Sequence, residues 1–153
     1  MIAGQQHGPA AVTVTANPAI DRVVEAPGFA PGACVRVAVR SREPAGKGIN
    51  VARGIRALGG SSAACGLVGR NEKPRFASLL RREGVEVRLV EVEGPTRINT
   101  TILDPENHTT THLREDGFSV SDGDIVRLRE SILEAIRGPG SGAQRRRNPG
   151  DES

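Results

Sequence analysis

The sequence predicts an α/β fold, and three observations carry that prediction. Residues 12–16, Val12-Thr13-Val14-Thr15-Ala16, alternate and are rich in β-branched side chains, the mark of a half-buried strand. Further on, the stretch Glu43-Pro44-Ala45-Gly46-Lys47-Gly48 is a glycine-rich turn that runs straight into a helical pattern stopped by Gly59-Gly60. A small-residue strand follows at 63–68, and strand, crossover helix and strand form a βαβ unit whose default is a parallel pair in a right-handed crossover.

A chain of 153 residues, 37% apolar and 25% charged, has the size and composition of one globular domain. Three Phe, no Trp and no Tyr leave Val, Leu, Ile and Ala to fill the core, so modest stability is expected. The formal charge of +3 comes from 21 basic and 18 acidic residues that are interspersed, apart from the block Arg145-Arg146-Arg147. A solvated surface with a basic tail fits this better than a nucleic-acid patch, because stacking aromatics and nucleic-acid modules are missing. Cys34 and Cys65 stand alone without metal-type spacing, which suits reduced thiols in a cytoplasmic protein. No stretch reaches the roughly 20 apolar residues of a membrane span. Residues 1–10 lack the basic start and apolar run of a targeting segment and read as a disordered leader. Residues 138–153 hold Gly, Pro, Ser, Arg and acids and read as a disordered tail.

Taken in order, the first strand ends at Asn17-Pro18, and a loop then delivers Asp21 beyond its carboxyl end, where open α/β sheets gather ligand-binding groups. An aspartate near proline is also an ordinary turn residue. Residues 21–25 and 34–41 read as strands with one wet face, joined through a Pro/Gly-rich excursion at 27–32. The first helix starts at about Ile49 and is expected to bury Val51, Ile55 and Leu58, with Ala52 beside them. A second helix spans 73–83, with Phe76, Leu79 and Leu80 inward and Gly84 as its cap. Strands resume at 85–90, 95–103 and 109–113, the last two flanking an Asp104-Pro105-Glu106-Asn107 turn. Arg97 and Asn99, two apart, share a strand face. That face is either solvated or a pair of donors reaching across a cleft to a phosphate. Ser121 with an acid three residues on opens a third helix, with Ile125, Leu128 and Ile132 on its buried face to about Arg137.

The glycine turn is an anion site by construction if it is not merely a tight connection. Pro44 is expected to stop the preceding strand, Gly46 and Gly48 permit close approach, and the first helical N–H groups point at the turn beside the Lys47 ammonium. Two familiar glycine loops are excluded. A P-loop needs Gly and Ser/Thr where this chain has Ser41 and Gly48, and the dinucleotide fingerprint needs Gly where it has Val51.

Three stretches in order, Thr15-Ala16-Asn17-Pro18-Ala19-Ile20-Asp21, Ala45-Gly46-Lys47-Gly48-Ile49-Asn50-Val51-Ala52 and Thr96-Arg97-Ile98-Asn99, resemble successive motifs of the ribokinase-like (PfkB) sugar kinases. The nearest likeness is to the branch of 1-phosphofructokinases and tagatose-6-phosphate kinases. The resemblance covers residues 11–137 and implies the N-terminal part of a ribokinase-like α/β sandwich, a parallel sheet with flanking helices, plus a small β lid drawn from residues 22–41 and 97–113. It implies phosphoryl transfer from ATP, with Mg2+, to a phosphorylated ketose. By the same resemblance Asp21 binds sugar hydroxyls, Gly46, Lys47, Gly48 and Asn50 hold the sugar phosphate, and Arg97 with Asn99 reach it from the lid. Two departures stand out: Ala45 replaces the first glycine of the family's usual pair, and Thr101 stands where the branch usually has lysine. The family's Gly-Ala-Gly-Asp turn, with its catalytic base and anion hole, and its ATP-binding segments do not occur in these 153 residues. No catalytic or metal-ligating residue is therefore assigned, and the chain is expected to carry an acceptor half that is inactive alone. The other readings are a sugar-phosphate-binding or dimerising module, pairing with a second chain through the lid or a bare sheet edge, and a degenerate gene fragment.

Overall fold

The structure, a computed structural model, describes residues 8–138. The expected leader and tail fall mostly outside them. Three parallel strands, β1 (Ala11–Thr15), β4 (Ser62–Gly69) and β5 (Glu86–Val92), form a sheet in the order β1-β4-β5. Because β4 is central, every one of its residues is buried, which explains its small side chains. Ala64 and Val68 face the helices α1 (Lys47–Ala57) and α2 (Lys73–Arg82), packing with Ile49, Ala52, Phe76 and Leu80. Ala63, Cys65 and Leu67 face α3 (Asp122–Arg137), packing with Leu128 and Ala135. Helices on both faces of a parallel sheet give three layers.

Helix ends follow their local chemistry. Ser121 and Asp124 form a reciprocal capping box on α3. At the end of α2, Gly84 (φ 78°) donates to the Arg81 carbonyl while Val85 donates to Leu80, a Schellman closure. Gly59 and Gly60 close α1 in the same way.

The second sheet is the lid: β2 (Ala19–Glu25), β3 (Ala38–Ala45), β6 (Arg97–Asp104) and β7 (Thr109–Arg114), in the order β3-β2-β6-β7. Its central pair, β2 and β6, is parallel and sets Asp21 opposite Asn99, while β3 and β7 pair antiparallel on the outside. Ile20 and Ile98 join the core under α1 and α2, and further out Val24, Ala26 and Ile102 are covered by Phe29 and Val35.

Several sequence expectations are corrected here. The strand read at 34–41 lies at Ala38–Ala45 and passes through Pro44 instead of stopping before it. Proline is tolerated there because β3 is an edge strand and loses no ladder bond on its open side. Asp21 is not in a loop: β2 begins at Ala19, so Asp21 is its third residue. Helix α1 starts at Lys47 and buries Ile49 and Ala52, whereas Val51 and Leu58 are 54% and 90% exposed. On α2, Ala77 is buried and Leu79 only half so, and on α3 Ile125 is exposed.

Candidate functional site

The site is assembled where the carboxyl end of β1 meets the lid. Residues 16–18 link β1 to β2, and the parallel pairing of β2 with β6 brings Asn99 beside Asp21, with the Asn99 amide Nδ2 donating to Asp21 Oδ1 at 3.0 Å. One acceptor of the aspartate is thereby engaged and the other remains for a ligand. The Asn99 carbonyl oxygen Oδ1 is buried and has no partner among the described residues. That buried oxygen is closed to a ligand, so the free carboxylate oxygen of exposed Asp21 is the acceptor the pair offers. Asp21, held in place by the Asn99 amide, therefore presents an acceptor suited to a sugar hydroxyl.

Arg97 lies on the same strand face as Asn99. Its guanidinium donates through Nε to the Pro18 carbonyl at 3.3 Å and through Nη2 to the Asn17 carbonyl at 3.2 Å. The arginine thus clamps the β1–β2 link and has donors left over from its five N–H groups. Gly117, at φ 91°, crosses directly above it: a Cβ there would lie 3.2 Å from the Arg97 Cβ and 3.5 Å from Asn17 Oδ1.

The glycine turn follows from the same strand end. Gly46 adopts φ 150° and ψ 147°, a conformation that disfavours any side chain, and a Cβ on it would meet Thr15 Cγ2 at 2.6 Å. A Cβ on Gly48 would meet the Val14 carbonyl oxygen at 2.6 Å and Thr15 Oγ1 at 2.7 Å. Both glycines are there because α1 starts in contact with β1. The N-cap position is Gly46, which has no side chain to cap with, and buried Thr15 supplies the cap from β1: its Oγ1 accepts the Ile49 N–H at 3.0 Å. The Asn50 N–H is used by the Gly46 carbonyl at 2.8 Å. Of the first helical amides, those of Lys47 and Gly48 are left over, next to the exposed Lys47 ammonium. Two amide donors and a cation at a helix start suit an anionic oxygen.

The predicted residues thus form two groups. Asp21, Arg97 and Asn99 share the polar lid face, Gly46, Lys47 and Gly48 form the helix start, and residues 15–19 connect them. Asn50 stands apart: it is exposed and lines a hollow of about 580 Å³ on the outer side of α1 with Arg53, Gly54, Arg56, Ala57 and Glu83. There Arg53 holds Glu83 through two bonds, Nε to Oε2 at 2.6 Å and Nη2 to Oε1 at 2.8 Å. That pairing keeps the Glu83 carboxyl below its usual range, chiefly through the hydrogen bond from Arg53. The pair fastens α1 to the end of α2, and Arg56, which donates through Nη1 to the Gly60 carbonyl at 2.7 Å, is the remaining charged side chain of the hollow. Cys65 is buried, its thiol pushed up to about 11 by desolvation, and exposed Cys34 lies in the loop before β3.

Sequence reasoning missed Thr15 as the helix cap. A signal was present, since the residue before α1 is a glycine and the cap must then come from elsewhere in the fold.

Comparison with known proteins places this geometry. Residues 11–122 match the pfkB family of carbohydrate kinases. The chain is 30% identical over 127 residues to a 1-phosphofructokinase of Xanthomonas campestris pv. campestris, covering 83% of this chain and 40% of that protein. Against a 1-phosphofructokinase of Bacillus subtilis it is 35% identical over 120 residues, 78% of this chain and 39% of the relative. Among solved structures, phosphofructokinase-2 of Escherichia coli in complex with fructose-6-phosphate superposes with a TM-score of 0.73 at 29% identity, over 82% of this chain and 41% of that one. The chain therefore spans about two fifths of the length of the curated relatives it matches. The family match takes in residues 11–122, well over half of the chain, and the chain belongs to the pfkB family of carbohydrate kinases.

Proposed function

We propose that this chain is the acceptor-binding portion of a 1-phosphofructokinase-like kinase and that it takes a phosphorylated ketose. The observation that carries the reading is the exposed Asp21 carboxylate, oriented by the Asn99 amide with one oxygen free, set on the lid beside a helix start that offers free amides and Lys47. Acceptors for hydroxyls and donors for an anion are the two things a sugar phosphate requires. The family relation to 1-phosphofructokinases supports the substrate class. ATP and Mg2+ belong to the reading through the family. The described residues include no group of three or more His, Cys, Asp or Glu able to hold a metal ion, so none is assigned to Mg2+. The resemblance puts the base and the nucleotide clamp outside these 153 residues, so phosphoryl transfer is assigned to no side chain here. No helix among the described residues is long and apolar enough to cross a membrane, and a cytoplasmic setting fits the two unpaired cysteines.

A second reading, a module that associates with another chain, is favoured by the exposed Val39 and Leu113 on the lid's two outer strands and by the open edge of β1 with exposed Val14.

Calorimetric titration of fructose 1-phosphate or tagatose 6-phosphate into the purified chain, alongside a coupled assay for ATP consumption, tests the proposal. Binding is expected, weakened in Asp21→Ala and Lys47→Ala by roughly 1.5–3 kcal/mol for each lost charged hydrogen bond. No ATP consumption above a protein-free control is expected. Unchanged affinity in both variants would remove these residues from the site, and turnover that Asp21→Ala abolishes would refute the restriction to acceptor binding.

A further inference from the structure

The helices cover the parallel sheet unequally. On one face α1 lies over β1 and β4 and α2 over β5, whereas on the other face α3 lies chiefly over β4 and β5. Three bonds mark the side of α3 that turns to β5: Ser131 Oγ donates to the Arg88 carbonyl at 3.1 Å, Arg88 Nη1 donates to Glu134 at 3.3 Å, and Arg127 Nη2 donates to the Glu91 carbonyl at 2.9 Å. At about 3.6 residues per turn, Ile125, Val126, Leu133 and Ile136 fall on the opposite side, toward β1, with Asp122 and Arg129 among them.

Strand β1 is bare on the same side. Thr15 points to α1, so Val12 and Val14 point to the α3 face. Val12 packs against the cluster under α3, and Val14 lies beyond it. Val14, Ile125, Val126, Leu133 and Ile136 are between 38% and 61% exposed, and they adjoin the edge of β1 that has no neighbouring strand among the described residues. Neighbouring strands lie about 4.8 Å apart and packed helices about 10 Å apart, so one helix spans two strands. With α3 over β4 and β5, the bare place is one helix wide, above β1 and above one further strand on its open edge. A continuous aliphatic patch beside an open strand edge marks an interaction site.

We infer that the open edge of β1 and the β1-facing side of α3 form one docking surface, which seats the remaining portion of a pfkB fold carried by another polypeptide. The inference rests on the acceptor-binding reading above and names the partner of that portion. Two curated relatives are matched over 40% and 39% of their length, so about three fifths of such a protein lies outside the shared part. That length must meet the shared part, and a sheet of this kind is extended by a parallel strand against β1 and an apolar helix beside α3. The flanking segments of this chain lack the residues for it: apart from proline, Ala143 is the one apolar residue in 139–153, and residues 1–7 are too few for a strand and a helix. A second copy fits less well. Symmetric pairing of two β1 edges is antiparallel and sets the two α3 helices four strand spacings apart, roughly 19 Å, too far to cover each other's aliphatic side.

The test is co-expression of the full chain with the part of the Bacillus subtilis 1-phosphofructokinase that it does not match, followed by sizing chromatography with light scattering. A one-to-one complex is expected. Ile125→Glu and Ile136→Glu, both at exposed positions, should weaken it at least about ten-fold, and Leu113→Glu on the lid should leave it unchanged. Circular dichroism of each variant reports on folding. Hydrogen exchange at residues 11–15 should slow in the complex, because the outward N–H groups of β1 gain strand partners. Two separate proteins overturn the inference, and so does a complex that ignores the α3 variants, one that Leu113→Glu breaks equally, or one with unchanged exchange in β1. A dimer of this chain alone that Ile125→Glu dissociates overturns it too, by giving the surface to a second copy. Titration with fructose 1-phosphate separates the two readings: a complex that binds no sugar phosphate upholds the docking and refutes the acceptor site, and sugar-phosphate binding without a complex does the reverse.

Discussion

Replacing Thr15 by valine isolates the contact on which the glycine turn depends. Valine keeps the side-chain shape, including the methyl that faces Gly46, and deletes only the hydroxyl that accepts the Ile49 N–H at 3.0 Å. Thr15 is 6% exposed and Ile49 is fully buried, so water does not replace the lost acceptor. A buried donor stripped of its partner costs about 1–3 kcal/mol, and loss of a helix cap costs about 0.5–2 kcal/mol. The two ranges describe one bond and are not summed, so a destabilisation of about 1–2 kcal/mol is expected. Urea unfolding followed by circular dichroism measures it as a lower midpoint with an unchanged slope. Thr15→Ser, which keeps the hydroxyl and deletes the methyl, separates the bond from the packing: its loss should be limited to about 0.8 kcal/mol for one buried carbon. The two variants also differ in function, because freeing the Ile49 amide loosens the helix start that presents Lys47. Parent-like stability in Thr15→Val, or equal stability of the two variants, would refute the claim that a hydrogen bond from β1 holds α1 in place.

Two further predictions use other parts of the structure. Gly48→Ala should destabilise by about 1–3 kcal/mol, as overpacking does, because its Cβ would press on the Val14 backbone, whereas Gly54→Ala in the same helix, with nothing within 4 Å, should stabilise by about 0.4–1 kcal/mol; paired thermal melts measure the difference. The buried Asp104 carboxylate is held below its usual range first by the Asn107 side-chain amide and then by the Gly28, Asn107 and Glu106 N–H groups. Because the folded value is depressed, this stabilisation is complete above the unfolded carboxylate value of about 3.9 and is lost as pH falls through the folded value. The lid should therefore loosen at acid pH, and Asp104→Asn should flatten that part of the profile when hydrogen exchange is followed at residues 102–108.

The body of the fold was legible because its signals are local. A β-branched run, a helical period between a glycine turn and a Gly-Gly stop, and a small-residue strand each declare themselves within a few residues, and β4 is small because α1, α2 and α3 cover it from both sides. The register of the lid is not local. Asp21 and Asn99 are 78 residues apart, and only the parallel pairing of β2 with β6 makes them neighbours. Composition predicts two polar strands but not which residues face each other. The same limit explains the misplaced face of α1. Val51, Ile55 and Leu58 have helical spacing, but the orientation of that helix is set by Thr15, which anchors the Ile49 amide and so turns Ile49 and Ala52 inward. Pro44 misled for a related reason: it ends a strand only where its missing N–H is needed, and on β3 the open side needs none.

This dependence on distant contacts makes residues 15–21 more consequential than any motif taken alone. Thr15 fixes the start of α1, Asn17 and Pro18 receive the Arg97 guanidinium, Ala19 pairs with both Ala45 and Arg97, and Asp21 carries the Asn99 bond. One extended segment therefore sets the distance between the acceptors on the lid and the donors at the helix. A change anywhere along it displaces the two groups relative to each other, and charge-assisted bonds tolerate little displacement before they weaken. Glycine is required at 46 and 48 for that reason as much as for backbone freedom, since a Cβ at either position would push α1 off Thr15 and separate the halves of the site.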